Sequence, residues 1–109
     1  MIEWADFEKV EIRVGTVLEV QDFPEAKKPS YKLKIDFGNH GVKKSSAQIT
    51  KLYKKEDLVG RQVVAVVNFL PKQIANFMSE CLVLGAVPEN KSVVLLQPER
   101  DVPNGCRIG

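Results

Sequence analysis

The sequence has little with which to perform covalent chemistry. Among its 109 residues there is one histidine, His40, and there are two cysteines, Cys81 and Cys106. His40 sits in "GNHG" with no adjacent acid to orient it, so neither a serine–histidine nor a cysteine–histidine pair can be named. The cysteines lie too far apart for a CxxC redox or zinc pair, and a single histidine does not complete a metal site with them. No Walker loop and no GxGxxG occurs, and the acids are scattered rather than paired. No catalytic residue, metal or cofactor is therefore expected. The thiols are expected to be reduced and inert, Cys81 in a strand and Cys106 in the tail.

Long apolar runs are also missing. No stretch approaches the roughly 20 residues that a membrane span needs. The first residues, "MIEWADFEKVEIR", carry acids where a secretory leader would be basic and then apolar. The expectation is a cytoplasmic protein with no membrane insertion. What is present is ordinary for a globular chain: 44% hydrophobic and 28% charged residues, at a length that predicts a single domain over residues 1–109.

Charge is scarce in sum but not in distribution. The net value is only +2, yet Lys27 to Lys55 hold nine lysines and one acid, whereas residues 1–25 hold seven acids and two bases. The basic charge forms one block.

Strand patterns dominate. "VEIRVGTVLEVQDF" alternates apolar residues and predicts a long strand that bends or bulges at Gly15. "YKLKIDFG" places Tyr31, Leu33, Ile35 and Phe37 on one face, with Lys32, Lys34 and Asp36 on the other. "GNHG" supplies a hairpin turn and "VKKSSAQI" the returning strand. "ITKLYKKEDLVG" shifts to helical spacing through Ile49, Leu52, Tyr53 and Leu58. "RQVVAVVNF" and "ECLVLGA" are two more apolar strands, "KSVVLLQPE" a short sixth, and "WADFEK" one helical turn at most. The predicted architecture is all-β: a small five-stranded barrel of the OB type, a short helix between strands three and four, an N-terminal turn and a C-terminal extension.

Binding is easier to argue than catalysis. Lys32 and Lys34, with Lys43 and Lys44 on the partner strand, predict an ammonium patch suited to phosphates, although such a run also serves simply as a solvated face. Tyr31 and Phe37 are assigned to packing. Within "VVNFLPKQIANFMSECLVLGA", Leu70, Ile74, Phe77 and Met78 put apolar groups where a connection is normally polar. They suit contact with varied polypeptides; alternatively, Ile74 and Phe77 cover the open end of the barrel.

"FEKVEIRVGTV", "DLVGRQVVAVVN", "PKQIANF", "SE" and "LVLGA", in that order, resemble the tRNA-binding domain family of OB folds. Over the whole length, including "DFPEAKKPSYKLKIDFG", "SSAQIT", "VVLLQP" and "VPNGCRIG", the chain is most similar to small free-standing members described as export-related molecular chaperones. The resemblance implies a homodimer, with the N-terminal turn and C-terminal tail in the contact. It also implies binding of tRNA or other structured RNA and of unfolded or export-bound polypeptides. It places Asn68, Lys72 and Ser79 on the RNA-binding face, and Arg13 and Ser46 at matching family positions. Lys72 stands where arginine is more usual, Asn76 where glycine is common and Leu82 where methionine is common. Asn76 is expected to adopt the left-handed backbone that glycine would supply.

Overall fold

A computed structural model describes residues 1–109. A five-residue helix, α1 (Trp4–Glu8), precedes the long strand β1 (Ile12–Asp22), and β2 (Tyr31–Asp36) and β3 (Val42–Ala47) form the expected hairpin around a 3₁₀ turn at Gly38–His40. A single helical turn, α2 (Lys55–Leu58), leads to β4 (Gln62–Val66). Next come a small hairpin, β5 (Lys72–Ile74) and β6 (Phe77–Ser79), and the short strands β7 (Leu82–Val83), β8 (Gly85–Ala86) and β9 (Val94–Leu95). The main sheet runs β3-β2-β1-β4-β7, every pair antiparallel, and curls into a nearly closed five-stranded barrel with α2 between the third and fourth strands. This is the OB-fold.

The barrel interior is filled by Val17, Leu33, Ile35, Phe37, Val63 and Ala65, and Ile49 and Leu58 are buried in the same cluster. Tyr31 packs against this core and donates its hydroxyl to the Tyr53 carbonyl at 2.8 Å, while Phe37 is wholly buried. Both are packing residues. The helical spacing overestimates α2: residues before Lys55 are not helical, so Leu52 is left about half exposed while Ile49 and Leu58 reach the core.

The bulge in β1 is at Leu18, not Gly15. The β1–β2 register shifts between Val17 and Glu19, whereas Gly15 pairs regularly with Val63. The extra residue, Leu18, is turned toward solvent, and Val17 and Val20 both keep facing the core. Gly15 is needed for another reason: a Cβ there would lie 2.6 Å from Ile35 and 2.8 Å from Phe37.

Ile12 and Val14 do not enter the main core. With Val64 and Val66 they form a second apolar cluster on the other face of the sheet, covered by Val10, Leu84, Val102 and Ile108. The C-terminal tail supplies this cover by pairing along the free edge of β1: Val14 donates to the Cys106 carbonyl, Gly105 to the Val14 carbonyl and Ile108 to the Ile12 carbonyl. The tail is therefore part of this chain's own fold.

The barrel closes between β3 and residues 79–81 largely through side chains. Glu80 N–H donates to the Lys44 carbonyl, but Lys44 N–H donates to the Glu80 carboxylate, Ser46 N–H to the Ser79 hydroxyl, and the Ser45 hydroxyl to the Cys81 carbonyl. These bonds stand in for missing ladder partners, because an unpaired buried backbone group is costly. They leave the barrel wall parted on one side.

Candidate nucleic-acid and polypeptide interface

The parting of the barrel wall opens into a groove of about 800 Å³. Its walls are the β1–β2 loop, the end of β3, the β5 strand and the segment Ser79–Leu82. Lys27, Lys28 and Lys72 carry its positive charge, and Phe69, Leu70, Ile74 and Leu82 its apolar surface. Glu25 and Glu80 are also present, Glu80 already bonded to β3. Leu70 is 92% exposed, an unusual state for a leucine in a concave site.

The groove gathers five of the residues singled out from the sequence: Ser46, Lys72, Ser79, Leu70 and Ile74. Lys72 and Ser79 are cross-strand partners on β5 and β6, which explains how residues seven apart in sequence meet. The Ser79 hydroxyl accepts from Ser46 N–H at 3.0 Å and donates to the Cys81 carbonyl at 3.3 Å, so it sets the wall of the groove.

Other expected site residues lie elsewhere. Asn68 is outside the groove with both ends of its amide engaged: its oxygen accepts from Glu11 N–H at 2.9 Å and its nitrogen donates to the Lys9 carbonyl at 2.8 Å. It ties the N-terminal turn to the end of β4. Arg13 donates to the Glu11 carboxylate at 2.9 Å and to the Gly105 carbonyl at 3.0 Å, anchoring the tail. The Glu11 carboxylate also lies 3.7 Å from His40 Nδ1, so the histidine belongs to this anchor although no acid adjoins it in sequence.

The ammonium patch is real but smaller than expected. In the β2–β3 register Lys32 stands opposite Ser46 and Lys34 opposite Lys44, which puts Lys32, Lys34, Lys44 and Ser46 on one outer face. Lys43 is opposite Ile35 and so belongs to the other face, because successive strand residues alternate. Lys34 is partly neutralised by Glu19 at 3.3 Å.

Phe77 does not plug the barrel. It lies outside the main core, edge-on to the buried Phe23 at 5.4 Å, beneath the ammoniums of Lys32 and Lys44. Met78 is 42% exposed on the same short strand. Asn76 is not left-handed; the residue with positive φ is Ala75, at 50°. Together they form a two-residue turn between the paired Ile74 and Phe77, with positive φ at its first position.

Sequence reasoning missed Lys27, Lys28, Phe23 and Phe69 as site residues. The two lysines were visible as the start of the basic block, but nothing local shows that their loop returns beside Leu70. Cys81 is buried; burial pushes its thiol up to about 11, against the smaller opposing effects of the Ser45 hydroxyl bond and the Lys43 charge. It is poorly suited to act as a nucleophile near neutrality.

The geometry agrees with what comparison finds. The family model for the tRNA binding domain matches residues 12–107. This chain belongs to the tRNA-binding domain family. Methionine–tRNA ligase of Thermococcus onnurineus is 38% identical over 107 residues, 98% of this chain but 14% of the ligase. The chain thus spans about one-seventh of that relative, and the segment they share is the tRNA-binding domain. The crystal structure of chaperone CsaA from Bacillus anthracis superimposes with a TM-score of 0.96 at 55% identity, covering 100% of this chain and 99% of that one. The CsaA chaperone protein from Picrophilus torridus gives 0.93 at 56% identity, with both chains fully covered.

Proposed function

We propose that this protein is a non-catalytic binding module, all 109 residues acting as one domain. It binds tRNA or other structured RNA and, as a homodimer, chaperones unfolded or export-bound polypeptides in the cytoplasm. The observation that carries the RNA reading is the basic groove beside the outer lysine face, in a chain of the tRNA-binding domain family. Lys72, Lys27 and Lys28 on the groove, with Lys32 and Lys44 beyond it, neutralise phosphates, and Ser46 and Ser79 shape the wall that meets the RNA.

The polypeptide reading rests on Leu70, which is almost fully exposed beside Ile74 and Phe69, and on the similarity to two CsaA chaperone structures. The dimer reading is supported by the N-terminus. Helix α1 buries none of its residues, and Trp4 is 89% and Ile2 76% exposed, an apolar surface suited to a second copy.

The test is a titration of unfractionated tRNA across a salt series. Affinity falling steeply with salt supports phosphate-led binding; affinity indifferent to salt refutes it. Sedimentation checks the dimer, with Trp4→Ser expected to give monomers. For the chaperone role, polypeptides recovered from extract with the protein should survive RNase treatment.

A further inference from the structure

We infer that Phe77 is a positioning residue for RNA binding: with Phe23 it holds the ammoniums of Lys32 and Lys44 together as a ready-made phosphate clamp. This rests on the RNA-binding reading above and removes Phe77 from the polypeptide surface. Lys32 and Lys44 sit on adjacent strands, diagonally across one outer face, because Lys34 is the residue opposite Lys44. The Lys32 ammonium lies 5.4 Å from the Phe23 ring centroid and 5.9 Å from that of Phe77, and the Lys44 ammonium lies 5.3 Å from Phe77.

Neither ammonium has a carboxylate within ion-pair distance, unlike Lys34 on Glu19 or Lys55 on Asp22. Two like charges drawn to one ring, with no anion between them, repel each other. The electron-rich ring faces offset that repulsion, and an arriving anion would relieve it. A surface lysine normally loses rotamer freedom on gripping a phosphate; these two are already restrained, so less is lost on binding. Phe23, buried and edge-on to Phe77, fixes the platform itself.

The probe is unfractionated tRNA, followed by fluorescence anisotropy from about 50 to about 200 mM salt. Phe77→Leu should weaken binding by about fivefold to thirtyfold. It should leave the salt slope nearly unchanged, because the charges remain and only their placement is lost. Phe77→Met, also flexible and non-aromatic, should behave alike if the leucine variant folds poorly, and Phe77→Tyr should stay within about twofold of the parent because it keeps the ring face. By contrast, Lys32→Gln with Lys44→Gln should lower the slope of log affinity on log salt by about 1.5.

The inference is overturned if both non-aromatic variants bind tRNA as the parent does, if tyrosine fails to rescue, or if they lose an unfolded polypeptide probe, reduced carboxymethylated lactalbumin, while keeping tRNA. If the parent protein itself shows no saturable tRNA binding, the functional reading fails first and the clamp fails with it.

Discussion

Replacing Gly15 with alanine tests how the barrel is packed. An added Cβ would stand 2.6 Å from Ile35 Cγ2 and 2.8 Å from two ring carbons of Phe37, against an ordinary carbon separation of about 3.5–4.0 Å. Both neighbours are fully buried, so neither can swing into solvent. Relieving such overlap in a packed interior costs about 1–3 kcal/mol, and two immobile partners place this site at the upper end. Alanine recovers about 0.5–1 kcal/mol of backbone entropy, leaving a net loss of about 2 kcal/mol. For a domain of this size that lowers Tm by about 8–16 °C.

Guanidinium unfolding followed by far-ultraviolet circular dichroism should show the midpoint falling with the slope m unchanged. Phe37→Leu should also cost less in the Gly15→Ala background than alone, a coupling of at least about 0.5 kcal/mol. A loss below about 0.5 kcal/mol for Gly15→Ala would refute the reasoning, because a bulge glycine or a solvent-facing strand glycine would accept the methyl.

Ala75→Gly should stabilise the protein by up to about 1 kcal/mol, since relief of the left-handed strain exceeds the added entropy; an unchanged or lowered Tm would contradict this. Asn68→Ala should cost about 1–2 kcal/mol through its two lost hydrogen bonds and increase proteolysis near Lys9, yet reduce tRNA affinity less than Lys72→Ala does. At pH 8 a thiol reagent should modify exposed Cys106 quickly and buried Cys81 only on unfolding; equal rates would refute the assignment. Because burial raises the Cys81 thiol from 9.0 to about 11, its contribution to stability is complete below pH 9 and is lost as pH rises toward 11. Cys81→Ser should flatten that alkaline decline.

Much of the barrel was legible because strand alternation is a local property. "YKLKIDFG" states its own inward and outward faces, and they are the faces observed. The β5–β6 hairpin was not legible: its strands are three residues each, and its turn carries Ala75 where the usual signal is glycine. The lysine patch was half legible. A run of lysines shows charge, but strand alternation turns Lys43 away from Lys44, and only the register shows that Lys44 is the one that joins Lys32 and Lys34. Arg13 and Asn68 matched family positions yet are occupied with the tail and the N-terminal turn, contacts that join residues 92 and 59 apart.

The sequence by itself determined the order of the barrel's elements along the chain, the inward residues of β2, the helix position between the third and fourth strands, and the concentration of positive charge. These follow from periodicity and composition, which short windows encode. Only the tertiary structure decided that Ile12 and Val14 form a second apolar layer beneath the tail, that side chains close the barrel and leave a groove, and that Phe23 and Phe77 gather two lysines. Each depends on the approach of segments far apart in the chain, set by packing and by the need to satisfy backbone groups that no local partner can reach.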